Sequence, residues 1–130
     1  MRIRKSYGLS IERAKRSQDE HGIQSDCVRW FTLKYPKYII MAIPNSARRS
    51  ARMGAWMKQE GLLAGASDLI IVIPNNVIFI EMKKENGRQQ QSQKEFQKNV
   101  ERLGFRYEIC RSVLDFIKVV EGWIRDCMSV

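Results

Sequence analysis

Two short runs of β-branched and aromatic residues, separated by a three-residue turn, constrain the fold of this chain more than any other feature. The runs cover residues 68–73 and 77–83, and the turn between them reads Pro-Asn-Asn. Such runs are typical of β-strands, and a connection this short favours an antiparallel hairpin. The hairpin ends in charged residues, Asp68 on one strand and Lys83 on the other. A strand pair that is otherwise apolar therefore carries polar chemistry at one end.

Helical periodicity and further β-rich runs around the hairpin predict the element order α, β, α, β, β, α, β, α. The predicted helices span residues 18–34, 46–60, 89–103 and 112–124, and the strands span residues 38–43, 68–73, 77–83 and 105–110. Pro36 stops the first helix, Gly61 and Gly104 end the next two, and Ser112 begins the last. A chain of 130 residues fits one α/β domain, residues 18–130, with a central mixed sheet flanked by helices.

The positive charge is concentrated in two segments. The chain carries 23 Lys and Arg against 14 Asp and Glu, a net charge of +9. Residues 1–16 hold six bases and one acid, and residues 34–59 hold six bases and no acid. We interpret residues 1–17 as a basic N-terminal arm, in which Arg2, Arg4 and Lys5 act electrostatically. The excess charge predicts a polyanionic partner.

Histidine and cysteine usage excludes several classes of site. The one histidine, His21, excludes HExxH zinc sites, paired-histidine phosphoryl transfer and Cys2His2 fingers. Cys27, Cys110 and Cys127 are odd in number and never spaced as CxxC, so neither a disulfide framework nor a thiolate metal site is supported. They are expected in the core of a protein from a reducing compartment. No run approaches the ~18 apolar residues of a membrane span, so a cytoplasmic location without a membrane partner is expected.

Alternation along the strands predicts a cluster of charged side chains. Glu81 and Lys83 share one face of the second hairpin strand. If the loop has an even number of residues, such as the two asparagines, Asp68 lies opposite Lys83 and Ile70 lies opposite Glu81. Asp68, Glu81 and Lys83 then converge on one face. An odd-length loop would turn Asp68 away.

Two neighbouring carboxylates favour a bound cation, because their like charges repel. Mg²⁺ accepts one or two carboxylates plus waters, Mn²⁺ is expected to substitute, and the Met82 carbonyl could supply a further oxygen. Such an ion polarises a phosphoryl oxygen and lowers the pKa of a bound water. Lys83 could position or help deprotonate that water. Asp68 and Glu81 as ligands and Lys83 as their partner predict phosphodiester hydrolysis. Ordinary strand-end salt bridges are the alternative.

Three more polar residues lie on apolar helical stripes. Glu20 and Gln24 align with Cys27 and Phe31 of the first helix, and Gln93 aligns with apolar residues of the helix after the hairpin. Glu20 is a candidate additional ligand, and Gln24 and Gln93 are candidate hydrogen-bonding partners of water or phosphate. The alternatives are a helix N-terminal acid for Glu20 and core-edge hydrogen bonding for the two glutamines.

The helix after Pro44 has no acid in its basic stretch and is the candidate DNA-binding element. A solvated helix face is the alternative. No base-reading motif is present, which predicts structure-selective or nonspecific binding. Trp56 is expected in the core, with contact to nucleic acid as the alternative. The candidate phosphate-binding residues are Asn45, Arg48, Arg49, Arg52 and Lys58.

Five ordered motifs resemble the VRR-NUC family of the PD-(D/E)XK nuclease superfamily. The family spans stand-alone phage and bacterial nucleases and the catalytic domain of the Fanconi-associated nuclease. ExK alone is a weak signal, whereas all five elements in order are specific. The motifs are Glu20-x3-Gln24, Ile43-Pro44-Asn45, Glu60-Gly61-x3-Gly65-x2-Asp68, Glu81-x-Lys83 and the stretch 87–93.

The resemblance implies a restriction-endonuclease-like fold and a metal-dependent DNA nuclease. Small stand-alone members resemble Holliday junction resolvases, so branched DNA and a role in DNA repair or recombination are expected. Paired cuts at a four-way junction require two subunits, and a homodimer follows if that substrate is right. The alternatives are a noncatalytic DNA-binding module on the same fold, a flap or nonspecific nuclease, or a ribonuclease.

Two positions depart from the family pattern. Ser67 stands where the superfamily has proline, which affects backbone shape rather than ligation. A glutamine-rich run replaces the usual Leu-Ser-Pro-x-Gln, so Gln91 and Gln93 both qualify as the functional glutamine. The helical stripe favours Gln93.

Overall fold

The computed structural model describes residues 19–44 and 51–129. The predicted order of helices and strands is confirmed within these residues. The elements are α1 (Glu20–Lys34), β1 (Ile39–Ala42), α2 (Ala51–Gln59), β2 (Leu69–Ile73), β3 (Asn76–Met82), α3 (Gln91–Arg102), β4 (Arg106–Cys110) and α4 (Val113–Met128). The predicted basic arm and three predicted DNA contacts, Asn45, Arg48 and Arg49, lie outside the described residues.

The four strands form one mixed sheet in the order β1-β2-β3-β4. β1, β2 and β3 pair antiparallel, and β4 runs parallel to β3. The parallel pair requires a crossover, which α3 provides between the two strands. The predicted α/β architecture with a central mixed sheet is therefore confirmed.

The hairpin register differs from the predicted one by two residues. Ile70 lies opposite Phe79 rather than Glu81, because Pro74 and Asn75 form the turn and Asn76 belongs to β3. Proline fixes its own negative φ, and Asn75 adopts a φ of 63°, which asparagine tolerates better than most residues. The loop is still even in length, so the predicted sharing of one face survives. Continuing the register by one residue places Asp68 opposite Glu81, not Lys83.

One face of the sheet packs against α1 and α4. Ile71, Ile78 and Ile80 are fully buried there against Phe31 of α1 and Phe116 of α4. The Ser112 hydroxyl caps α4, as predicted, by accepting a 3.0 Å hydrogen bond from the Asp115 N–H. This face forms the hydrophobic core of the described residues.

The opposite face carries the charged end of the hairpin and is covered by α3. Phe96 of α3 packs edge-on against Phe79 and Tyr107. α2 contributes no buried side chain, and Trp56 is 66% exposed. The expectation of a core position for Trp56 is therefore wrong, since α2 covers no part of the main core.

The cysteines occupy the predicted environment. Cys27 and Cys110 are fully buried, Cys127 is half-buried, and all three are free thiols. Burial raises the pKa of the Cys110 thiol to about 12, so this thiol is unreactive at neutral pH. Within the described part of the chain, no helix has the length and apolar character needed to cross a membrane.

Gly65 lies in the loop before β2, where the backbone packs against the first turn of α3. Its φ is +80°, a conformation that side chains rarely adopt. A Cβ at this position would overlap the carbonyl of Ser92 and would lie 2.8 Å from the Gln93 nitrogen. Gly65, the second glycine of the Glu60-Gly61-x3-Gly65 motif, is therefore required, because the backbone before β2 touches the backbone of α3 here.

Gly65→Ala is expected to lower the free energy of unfolding by about 1–3 kcal/mol from backbone strain alone, and by more from the overlap. Gly54→Ala is the control, because Gly54 lies inside α2 with no atom near its would-be Cβ. It should be neutral or stabilising by up to about 1 kcal/mol. Urea denaturation of both variants measures the difference, and equal stabilities would contradict the close approach.

Candidate active site

Asp68 and Glu81 are brought together by the antiparallel pairing of β2 and β3. Asp68 immediately precedes β2, and its Oδ2 accepts a 2.7 Å hydrogen bond from the Met82 N–H. Glu81 is the residue before Met82 and lies on the same sheet face as Asp68. The two predicted metal ligands therefore face each other at the end of the hairpin.

Glu81 is almost completely enclosed, with 1% of its surface exposed. Its Oε1 accepts a 2.6 Å hydrogen bond from the Tyr107 hydroxyl. Its Oε2 lies 3.4 Å from the Lys83 Nζ. The two oxygens of this carboxylate thus have different partners, and Lys83 joins the cluster as predicted.

Burial and neighbouring like charges disfavour the charged forms of both carboxylates. Burial is the main cause that raises the pKa of Asp68, and the charge of Glu20 adds to it, while the Met82 N–H and Lys83 oppose it. Burial also raises the pKa of Glu81, with Asp68 adding to the rise and Tyr107 and Lys83 opposing it. A cation between the carboxylates would remove this penalty.

The donor set fits a hard divalent ion that retains water ligands. Two carboxylates on one face match Mg²⁺, which usually takes one or two carboxylates and keeps several waters. Among residues 19–44 and 51–129, no three His, Cys, Asp or Glu side chains form a metal-holding group. The described residues therefore do not supply the three protein ligands of a typical zinc site.

Glu20 lies at the first turn of α1, exposed but close enough for its charge to act on Asp68. Gln24 is half-buried one turn further along α1. Both residues therefore belong to the helix end nearest the carboxylates. A ligand role for Glu20 and a phosphate role for Gln24 stay predictions.

Gln93 is half-buried, whereas Gln91 is exposed. The Gln93 Oε1 accepts a 2.7 Å hydrogen bond from the Gln90 N–H, so this side chain caps the N-terminus of α3. The Gln91 amide lies 3.5 Å from Glu95. The burial matches the helical stripe that favours Gln93, and the capping bond explains why a glutamine suits this position.

The loop after β3 holds Lys83 in place. The Lys83 N–H donates to the Cys110 carbonyl at 3.0 Å, and its side-chain stem would lie 3.4 Å from a Cβ at Gly87. The Arg111 guanidinium donates to the backbone carbonyls of Lys84, Glu85 and Gly87 at 3.1, 3.3 and 2.7 Å. The loop is therefore fixed against the end of β4.

Sequence reasoning missed Tyr107 and Gln89. Tyr107 is 4% exposed, and Gln89 donates to its hydroxyl at 3.3 Å. Burial and the adjacent Glu81 raise the pKa of Tyr107, so its proton is available for donation. A tyrosine at a buried strand position requires a partner for its hydroxyl, and that was the available signal. The partner depends on the register of β4, which local sequence does not specify.

The described DNA-binding candidates lie on α2. Arg52 and Lys58 are both exposed. Neither belongs to the carboxylate cluster. Exposure makes both residues available to phosphates, and their contact with DNA stays a prediction.

A sequence model of the VRR-NUC domain matches residues 8–114, which include the whole carboxylate cluster. The chain belongs to the VRR-NUC family. This is a family of nuclease domains, as the sequence motifs predicted.

Two solved structures resemble this VRR-NUC domain. A "VRR_NUC domain protein" superposes with a TM-score of 0.67 and 24% identity, covering 82% of this chain and 88% of that chain. A second, "VRR_NUC domain", gives a TM-score of 0.56 and 18% identity, covering 78% and 94%. No curated protein matches the chain. The two structures support a restriction-endonuclease-like fold.

Asp68→Asn is expected to stabilise the metal-free protein at neutral pH. The pKa of Asp68 is raised on folding, so the unfolded chain loses its proton first. The free energy of unfolding therefore falls as the pH rises from about 4 through the folded-state pKa. Asparagine avoids the buried charge and keeps an oxygen for the Met82 N–H. In EDTA at pH 7 the variant should melt above the wild type, and the difference should shrink towards pH 4.

Glu85→Gln, at an exposed position after β3, is the matched control and should show no comparable gain. Thermal melts followed by circular dichroism across this pH range provide the measurement. A lower melting temperature for Asp68→Asn at pH 7 in EDTA would show that the ionised carboxylate is stabilising, contrary to this account.

Proposed function

We propose that the chain is a divalent-metal-dependent DNA endonuclease that hydrolyses phosphodiester bonds in branched DNA. The observation that carries the proposal is the pairing of Asp68 with Glu81 on one sheet face, with Lys83 3.4 Å from Glu81. Two desolvated carboxylates beside one lysine combine oxygen ligands for a hard cation with a positive group for phosphate.

Asp68 and Glu81 hold Mg²⁺, for which Mn²⁺ substitutes. The Met82 backbone oxygen and the Glu20 carboxylate are the proposed further ligands, although Glu20 does not form a three-ligand group with Asp68 and Glu81 among the described residues. When bound, the cation supplies charge neutralisation at the phosphate and lowers the barrier to forming hydroxide from water.

Lys83 acts on the phosphate and on the attacking water. Its side chain is 11% exposed and packs close to Gly87, so its ammonium group does not move freely in solvent. A positioned ammonium offsets negative charge that develops on the phosphate oxygens. The ammonium can also orient the attacking water by donating a hydrogen bond, whereas only the neutral amine form of Lys83 could accept the proton of that water.

The DNA backbone is bound by side chains that carry no base-reading pattern. Gln24 and Gln93 donate amide hydrogen bonds to phosphate or water. The positive charge is supplied by α2 and the segment before it. The backbone-binding set is Asn45, Arg48, Arg49, Arg52 and Lys58. The net charge of +9 supports a polyanionic substrate.

Branched DNA is the proposed substrate, with a Holliday junction first. One active site per chain cuts one strand, so paired cuts at a junction require a homodimer. The setting is DNA repair or recombination in a bacterium or during phage infection. The test uses end-labelled junction, flap, duplex and single-stranded DNA of the same sequence, with Mg²⁺, Mn²⁺ or EDTA. Metal-dependent, symmetric cuts on the junction are expected, whereas equal cutting of all substrates would overturn the selectivity.

Asp68→Asn and Glu81→Gln should each abolish cleavage while retaining DNA affinity, because a neutral amide is a poor ligand for a hard cation. Glu85→Gln, which neutralises a nearby exposed acid, should cleave like the wild type. Single-turnover cleavage and fluorescence anisotropy measure the two properties. Near wild-type cleavage by either ligand variant would remove that residue from the site.

Lys83→Ala should lose about 100-fold or more in cleavage rate at every Mg²⁺ concentration, because it removes a positioned charge rather than a ligand. Metal affinity and DNA affinity should be retained. Lys83→Arg keeps the charge but does not readily release a proton, so recovery by arginine would assign Lys83 an electrostatic role. A wild-type rate for Lys83→Ala across pH and Mg²⁺ would refute its part in the chemistry.

Removing Arg52 and Lys58 together, as Arg52→Ala/Lys58→Ala, should weaken binding equally for different DNA sequences. Each lost phosphate contact should reduce the slope of log affinity against log salt by about one. Lys118→Ala is the control, because Lys118 is exposed on α4, which packs on the other face of the sheet. An unchanged slope in the double variant would place α2 away from DNA.

A further inference from the structure

Tyr107 links one carboxylate of the cluster to the side of α3. Its hydroxyl donates a 2.6 Å hydrogen bond to Glu81 Oε1, and both residues are buried, at 4% and 1% exposure. Its ring packs edge-on against the Phe96 ring, with centroids 6.1 Å apart. β4 pairs Tyr107 with Phe79, two residues from Glu81 on the same strand. Ring and backbone are thus both fixed relative to Glu81.

The hydrogen bonds behind Tyr107 form a chain with one consistent direction. Gln89 Nε2 donates both to the Tyr107 oxygen at 3.3 Å and to Gln97 Oε1 at 3.0 Å. Gln97 Nε2 then donates to Glu101 Oε2 at 3.3 Å. A tyrosine hydroxyl has one proton, and its oxygen can also accept, so Tyr107 accepts from Gln89 and donates to Glu81. The single proton of the Tyr107 hydroxyl is therefore directed to Glu81.

This contact distinguishes the two oxygens of Glu81. Oε1 is occupied by Tyr107, while Oε2 lies towards the Lys83 ammonium. A carboxylate without such a partner could rotate about its last bond and exchange its oxygens. Hydrogen bonds to metal-ligating carboxylates orient them, and losing such a bond typically costs about 10- to 100-fold in metal affinity or activity.

We propose that Tyr107, supported by Gln89, is a positioning residue that holds Glu81 so that Oε2 is presented to the divalent cation. The inference rests on the proposed metal-dependent function. Tyr107 touches neither the phosphate nor the water in this scheme. Its removal therefore weakens metal binding while leaving the maximal cleavage rate at saturating Mg²⁺ close to that of the wild type.

Isothermal titration of the DNA-free protein with Mn²⁺ tests the inference. Tyr107→Phe, which removes only the hydroxyl, should raise the Kd for Mn²⁺ by about 10- to 100-fold. Gln89→Ala leaves the Tyr107 ring in place and should give a smaller loss of Mn²⁺ affinity. If Tyr107→Phe does not fold, Gln89→Ala provides the test instead. Tyr38→Phe is the matched control, since Tyr38 is half-buried and stacked on Tyr35. Its Kd should equal that of the wild type.

Cleavage against Mg²⁺ concentration gives the second readout. The Tyr107→Phe curve should move to higher Mg²⁺ and approach the wild-type plateau, unlike a catalytic variant, whose plateau falls. Unchanged Mn²⁺ affinity in both Tyr107→Phe and Gln89→Ala would overturn the positioning role, even if stability decreased. A wild-type protein that binds no Mn²⁺ would instead overturn the proposed metal site, and this inference with it.

Discussion

The hydrogen bond from the Met82 N–H to Asp68 Oδ2 is the interaction on which the site depends. It closes the open end of the β2–β3 hairpin at 2.7 Å and sets Asp68 opposite Glu81. The two-residue turn at the other end has the same consequence, because an even loop keeps both acids on one face. Lys83 and Tyr107 both contact Glu81 of this pair, and Phe96 of α3 packs on the Tyr107 ring.

Burying the Asp68–Glu81 pair costs free energy, and neighbouring side chains offset part of this cost. Lys83 lies beside Glu81 as a partial counter-charge, and Tyr107 donates a hydrogen bond to its other oxygen. Neither contact compensates fully, since the pKa of Glu81 remains above its usual range because of burial. The proposed divalent cation would complete the charge balance of this pair.

Sequence patterns within short segments predicted the helix ends and the hairpin, because these depend on residues that are neighbours in the sequence. Gly61 and Gly104 end their helices with positive φ, and the even hairpin loop kept Asp68 and Glu81 together. The register was wrong by two residues because the choice of turn depends on which asparagine joins the strand. Tyr107 was missed because it meets Glu81 across 26 positions of sequence, through a parallel pairing that a hairpin rule does not reach. The exposure of Trp56 could not be predicted either, since an amphipathic pattern does not show whether a partner surface covers it.

The central claim is that Asp68 and Glu81 together bind one divalent cation. The most direct test is a crystal structure of the protein with Mn²⁺, with diffraction recorded at the manganese absorption edge to give anomalous difference density. A strong anomalous peak is expected between the two carboxylates, within direct coordination distance of an oxygen of each. Ordered Mn²⁺ bound elsewhere, with no peak between Asp68 and Glu81 at millimolar Mn²⁺, would contradict it.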